Sequence, residues 1–196
     1  MKFNPNAITE RPAERRALHT IVAYVEDKPG VLSRIAGLFR RRAYNIDSLT
    51  VGRTEVEGVS RMTIVVEADD RQARLIEANL YKLVNVLRVE DVTYEQTVER
   101  DLALVKVRAD IDQRTQVLQM VEVYGARVVD VSPQSLMVEV TGSEAKVQSL
   151  IDVLEPFGII EMVRTGSIAM TRGPEPLTAD PHFVAASVPK QNGAAR

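Results

Sequence analysis

The run Glu26-Asp27-Lys28-Pro29-Gly30-Val31-Leu32-Ser33-Arg34-Ile35-Ala36, followed by Tyr44-Asn45-Ile46, offers anion binding rather than bond making. Residues 20–25 are β-branched and aromatic enough to read as a strand; Asp27 and Pro29-Gly30 stop it, and a helix begins at once. Pro29 suits the first helical position, where its missing N–H is no loss, and Gly30 leaves the neighbouring N–H groups uncovered. Unpaired helix N–H groups and the positive end of the dipole attract a small carboxylate, each contributing about 0.3–1 kcal/mol at an exposed site. Taken alone, the same turn reads better as plain punctuation between a strand and a helix, so the rest of the chain must decide.

No catalytic constellation competes with this turn. The two histidines, His19 at the start of a strand and His182 near the C-terminus, are placed too far apart to cooperate or to share a metal. Cysteine is absent, which removes disulfides, thiolate ligands and cysteine nucleophiles. Asp69-Asp70 is explained as a helix cap, and no dinucleotide fingerprint, phosphate loop or calcium loop is present. The expectation is a non-catalytic binding or regulatory chain that holds no metal or cofactor of its own.

With 196 residues, 45% hydrophobic and 27% charged, the chain has the make-up of a globular protein of one large or two small domains. A net charge of -2 and 5% aromatic residues argue against a nucleic-acid surface, and Arg40-Arg41-Arg42 reads as a dipole-matched helix end. No run has the length of a membrane span or the apolar core of a secretory signal, so the expected address is cytoplasmic, with no membrane partner.

Apolar residues Val31, Leu32, Ile35, Leu38 and Phe39 recur at helical spacing and predict a helix with one buried stripe. Two strands then flank a Gly-bounded loop over residues 52–58, a helix capped by Asp69 or Asp70 follows, and residues 86–94 form a fourth strand. The order β-α-β-β-α-β is the split βαβ, an α+β ferredoxin-like arrangement. It repeats: a strand at 102–108, a helix striped by Val117, Met120, Val121 and Tyr124, strands at 128–131 and 136–140, a helix with Thr141 and Glu144 as a capping box, and a strand near 159–163. The expected organisation is an N-terminal extension over residues 1–17, a ligand-carrying domain at 18–95, a second domain at 101–172 without the Pro-Gly turn, and a flexible tail at 173–196.

The run Val25-Glu26-Asp27-Lys28-Pro29-Gly30-Val31-Leu32-Ser33-Arg34 through Ala43-Tyr44-Asn45-Ile46-Asp47-Ser48-Leu49 resembles the amino-acid-binding ACT domain of acetolactate (acetohydroxyacid) synthase regulatory small subunits. Ser60-Arg61-Met62-Thr63-Ile64, Leu83-Val84-Asn85-Val86-Leu87, Val129-Asp130-Val131-Ser132-Pro133 and Leu154-Glu155-Pro156-Phe157-Gly158 extend the likeness, in order, across residues 19–173. The resemblance implies a chain that does no covalent chemistry itself. It implies a homodimer, or a higher assembly, that binds valine or a related branched-chain amino acid between ACT domains. It also implies pairing with a large catalytic subunit that uses thiamine diphosphate, Mg²⁺ and FAD to condense pyruvate with a second 2-keto acid, which the small subunit stimulates and makes feedback-sensitive.

Carried onto this chain, the effector site comprises Asp27, Gly30, Val31, Leu32 and Ser33 from one copy, with Asn45 and Ile46 from the other. N–H groups near Gly30, Val31 and Leu32 hold the carboxylate, Asp27 or the Asn45 amide meets the ammonium, and Leu32 and Ile46 wall the side chain. On residue types alone, the plainer reading is favoured for all five: Asp27 as a helix cap, Ser33 as a solvent-facing residue, Asn45 as a turn former, and Leu32 and Ile46 as core. One departure stands out: Ala43 occupies a position where similar chains usually have glycine, which matters if the backbone there is left-handed. An alternative reading is a free-standing ACT-domain sensor acting on another enzyme or regulator.

Overall fold

β-branched and aromatic residues fill Ala17–Glu26, and they form strand β1 at the interior of a sheet. The structure, a computed structural model, describes residues 16–174; most of the expected N-terminal extension, His182 and nearly all of the expected tail lie outside the described residues. After β1 come α1 (Val31–Arg41), β2 (Ile46–Arg53), β3 (Val59–Ala68), α2 (Asp70–Leu80) and β4 (Val86–Asp91). The order recurs in β5 (Thr97–Arg108), α3 (Ile111–Val123), β6 (Arg127–Ser132), β7 (Ser135–Gly142), α4 (Glu144–Leu154) and β8 (Ile159–Arg164), and β9 (Ile168–Thr171) follows. The first sheet runs β2-β3-β1-β4 and the second β6-β7-β5-β8, every pairing antiparallel. This is the α+β, tandem ferredoxin-like fold expected from the sequence.

Alternation along β1 divides its side chains between two cores. Ile21, Ala23 and Val25 join Ile35, Phe39, Ile64, Ile76 and Leu80 beneath α1 and α2. Val22 and Tyr24 point to the opposite face, where they meet Val59, Val92 and Ala169. The second sheet builds its own core from Val105, Val107, Val138, Val117, Leu150 and Leu154.

Ala169 belongs to β9, a strand that the sequence pattern does not announce. Its four residues are too few to show a period, and residues 97–100, which read as part of a joining stretch, instead open the twelve-residue β5 and pair with β9. A single short strand thus extends the hydrogen bonding of β5 and covers the helix-free face of the first sheet.

Ala43 has φ 55, making it the one residue other than glycine with positive φ among the described residues. It ends α1 in a Schellman motif, with the Tyr44 N–H donating to Phe39 O at 3.1 Å and the Ala43 N–H to Arg40 O at 3.2 Å. The Phe39 and Tyr44 rings meet edge-on, 6.3 Å between centroids, supplying the apolar contact that accompanies this motif. An L-residue pays about 1–2 kcal/mol in this conformation, partly offset by the extra freedom glycine loses on folding. Ala43→Gly is therefore expected to stabilise the chain by about 0.5–1 kcal/mol and to raise Tm by about 1–4 °C in a thermal melt.

Candidate functional site at the start of the first helix

β1 gives way to a turn pinned by the Asp27 N–H, which donates to Gly58 O at 2.8 Å. Pro29 is not the first helical residue as the sequence reading expects; the helix starts at Val31, and Gly30 is its N-cap. Gly30 has φ 83, the left-handed region that glycine enters without penalty.

No side chain caps α1, and no acidic residue stands in its first turn. The other three α-helices among the described residues are capped. Asp69 accepts from the Gln72 N–H at 2.7 Å and is reciprocated by the Gln72 side chain at 3.1 Å. Asp110 accepts from Asp112 and Gln113, and Ser143 accepts from Lys146 at 3.3 Å, replacing the expected Thr141–Glu144 pair. The second repeat lacks the Pro-Gly turn, and in its place Asp110 satisfies the donors that Gly30 leaves open. The Val31 N–H donates to Lys28 O at 3.4 Å, so α1 presents its Leu32 and Ser33 N–H groups, at the positive end of the dipole, to whatever approaches.

Behind the turn runs a polar brace that the sequence reading misses. Asn85 donates to the Glu26 carboxylate and accepts from the Arg34 guanidinium, and the Glu26 N–H donates to Asn85 O at 2.9 Å. Lys28 Nζ adds a bond to Glu26 at 3.0 Å. Asn85 lies 59 residues from Glu26 and 51 from Arg34, so no local spacing marks the group. The hydrogen bond from Asn85, then that from Lys28, hold the Glu26 carboxyl below the usual glutamate range.

Because folding lowers this pKa, the brace stabilises fully above the unfolded glutamate pKa and loses that contribution as pH falls through the folded value. The stability gap between the parent and Glu26→Gln, measured by chemical denaturation, is expected to hold near neutral pH and to close under acid conditions.

The structure gathers Asp27, Gly30, Val31, Leu32 and Ser33 at one end of α1. Asp27, Leu32 and Ser33 are exposed, whereas the Val31 side chain is 4% exposed and faces the core, and its N–H is taken by Lys28 O at 3.4 Å. Leu32 departs from the expected buried stripe, being 45% exposed beside the open N–H groups. Asn45, exposed, and Ile46, half-buried against the first core, sit at the far end of the same helix. Eleven helical residues span about 16 Å. Within one chain these two residues are not brought to the Gly30 turn.

His19, set aside on sequence, is 1% exposed and ties three elements together. Its Nδ1 lies 2.8 Å from the Asp91 carboxylate and its Nε2 3.7 Å from Asp70, while the Tyr94 hydroxyl donates to Asp70 at 2.8 Å. Among the described residues no His, Cys, Asp and Glu group converges as a metal would need. Nor is any described helix long and apolar enough to cross a membrane.

On the helix-free face, β2 touches the connector between β8 and β9. Ser48 Oγ accepts from the Ser167 N–H at 2.9 Å, and Thr50 Oγ1 donates to Thr165 O at 3.2 Å. Gly166, between them, has φ 79, and a Cβ there would stand 2.5 Å from Ser48 Oγ. Arg61 of β3 donates to the Tyr24 hydroxyl at 2.8 Å and to the Ala169 carbonyl, fastening β9 down.

Residues 21–88, which include the bare helix start, match the family model described as the AHAS small subunit-like ACT domain. Residues 100–173 match the model for the small subunit of acetolactate synthase. An acetolactate synthase small subunit from Mycobacterium bovis is 51% identical over 156 residues, covering 80% of this chain and 93% of that relative. A probable acetolactate synthase small subunit from Archaeoglobus fulgidus is 50% identical over 155 residues, covering 79% and 97%. The crystal structure of an acetolactate synthase small subunit from Thermotoga maritima superposes with a TM-score of 0.76 at 38% identity, covering 81% of this chain and 99% of that one. A two-repeat protein with an ACT domain is thus the class that fold and site define. The chain belongs to the acetolactate synthase small-subunit family.

Proposed function

We propose that this chain is the regulatory subunit of an acetolactate synthase. In this reading it binds and stimulates a thiamine-diphosphate-dependent catalytic subunit, which carries the Mg²⁺ and FAD, and makes it responsive to valine or a related branched-chain amino acid. The observation that carries the reading is the uncapped, acid-free start of α1 in the half that matches the ACT model. The N–H groups after Gly30 hold the effector carboxylate. Leu32 is exposed beside them, and Asp27 faces solvent where an ammonium group can reach it.

Asn45 and Ile46 stand too far along α1 to join this site from the same chain, and that supports a homodimer. β2, which begins at Ile46, is an outer strand of its sheet with unpaired backbone groups. Pairing two such edges about a two-fold axis places Asn45 and Ile46 of one copy toward the Gly30 turn of the other. Residues 18–95 then act as the effector half and residues 101–172 as the half that passes the signal on. The Ser48–Ser167 and Thr50–Thr165 contacts give β2 a direct mechanical link to the second half. Effector binding shifts the catalytic partner only as far as it favours one arrangement of these parts over the other.

The test is acetolactate formation by the separately purified catalytic subunit of the same source, with and without this chain, while valine, leucine and isoleucine are titrated. Stimulation that valine reverses is the expected result. Amino-acid binding with no effect on that enzyme, both proteins being folded, would overturn the reading in favour of a free-standing sensor.

A further inference from the structure

Few donors remain to hold an anion at the start of α1, so the direction in which they point decides what they can hold. The N–H groups of Glu26, Asp27 and Lys28 donate to Asn85 O, Gly58 O and Glu26 O at 2.9, 2.8 and 2.9 Å. Those of Val31 and Arg34 donate to Lys28 O and Gly30 O at 3.4 and 3.1 Å, which leaves the Leu32 and Ser33 groups to a ligand. Their aim follows from the angle between the end of β1 and the first turns of α1, and a side chain from a third place in the chain spans that angle. Asn85, 9% exposed in the connection between α2 and β4, accepts from the Arg34 guanidinium on α1 and donates to the Glu26 carboxylate at the end of β1. A carboxylate in its place would face Glu26 with no proton to give, and an ammonium would face the guanidinium with no acceptor. A neutral amide, donor at one end and acceptor at the other, serves both.

We propose that Asn85 is a positioning residue of the effector site, acting through Glu26 and Arg34 to fix the direction of the Leu32 and Ser33 N–H groups. The inference rests on the effector reading of the Gly30 turn. Asn85 does its work during folding: a turn already ordered need not be ordered again when the effector binds, and the saving appears as affinity. The connection between α2 and β4 thereby becomes part of the effector site without touching the effector.

Valine binding to the full chain is measured by calorimetry for the parent, Asn85→Ala, Arg34→Gln, the double variant and Asp69→Ala. Asn85→Ala is expected to weaken valine by about tenfold, the ordering of one backbone residue having passed from folding to binding. Arg34→Gln, at an exposed position, cuts one arm of the brace and is expected to weaken valine by about threefold. In the Asn85→Ala background the same substitution should add nothing, whereas a direct attraction between the guanidinium and the effector carboxylate would persist there. Asp69→Ala uncaps α2 and loosens the same repeat without touching the turn, so valine affinity should stay within about twofold of the parent. Parent-like affinity in Asn85→Ala, an equal loss in Asp69→Ala, or an undiminished Arg34→Gln effect in the double variant would each overturn the positioning role and leave the effector site standing. Should Asn85→Ala not fold, parent-like affinity in Arg34→Gln overturns it alone. A parent that binds none of valine, leucine and isoleucine would overturn the effector reading and this inference with it.

Discussion

Replacing Gly30 with aspartate is expected to abolish valine sensitivity while leaving stimulation of the catalytic subunit in place. A Cβ at Gly30 meets nothing within 4 Å, so the substitution does not clash with the fold. Its backbone penalty at φ 83 is about 1–2 kcal/mol for an ordinary L-residue, and aspartate tolerates this region better than most. The functional damage is larger. The new carboxylate stands beside the N–H groups that would hold the effector, repelling its carboxylate and competing for the same donors. Two charge-assisted hydrogen bonds at about 1.5–3 kcal/mol each correspond to a loss of roughly a hundredfold or more in affinity. Calorimetry with valine and an inhibition curve measure this together, and Gly30→Asn, which tolerates the same backbone without the charge, should fall in between. Normal inhibition of the Gly30→Asp protein would remove the helix start from the site.

Gly166→Ala is expected to separate effector binding from its consequence. The added Cβ would stand 2.5 Å from Ser48 Oγ and 3.2 Å from Thr50 Oγ1, on a backbone with φ 79. Left-handed strain contributes about 1–2 kcal/mol, and loss of the Ser48–Ser167 hydrogen bond about 0.5–1.5 kcal/mol more. The total of about 1.5–3.5 kcal/mol lowers Tm by roughly 3–14 °C. Valine binding should fall far less than inhibition does, because the Gly30 turn lies on the helix-covered side of the sheet, away from Gly166, and only the neighbouring start of β2 at Ile46 is shared. Inhibition of the catalytic partner should be lost or sharply reduced, because β2 no longer holds the connector. Ser48→Ala is the gentler companion: it removes the acceptor of the Ser167 N–H and should weaken the response without the strain. Unchanged inhibition in both variants would show that the signal takes another route.

Features held within a few residues were legible in the sequence, and features made by distant partners were not. The Pro29-Gly30 signal marked the junction correctly, although it placed the helix start two residues early, because Gly30 in the left-handed region serves as the N-cap and Pro29 stays outside the helix. Asp69 announced its helix, its reciprocal bond with Gln72 being three residues long. Ala43 stood out by resemblance, and its φ of 55 bears out the left-handed backbone on which that concern rested. Leu32 misled the periodicity because an apolar residue one step from Val31 fits a helical stripe yet turns about 100° away from it. β9 was invisible because four residues carry no period. His19 and Asn85 were invisible because each finds its carboxylate partner far away along the chain.

The position of β9 also sets the order in which the molecule can be completed during synthesis. Its Ala169 packs with Val22, Tyr24, Val59 and Val92, yet 77 residues of chain separate it from the last of these. At roughly 5–20 residues per second, the back of the first sheet waits about 4–15 s for its cover after its own strands have left the ribosome. The first repeat can close its helix side early, but Val22 and Tyr24 stay uncovered until β9 arrives.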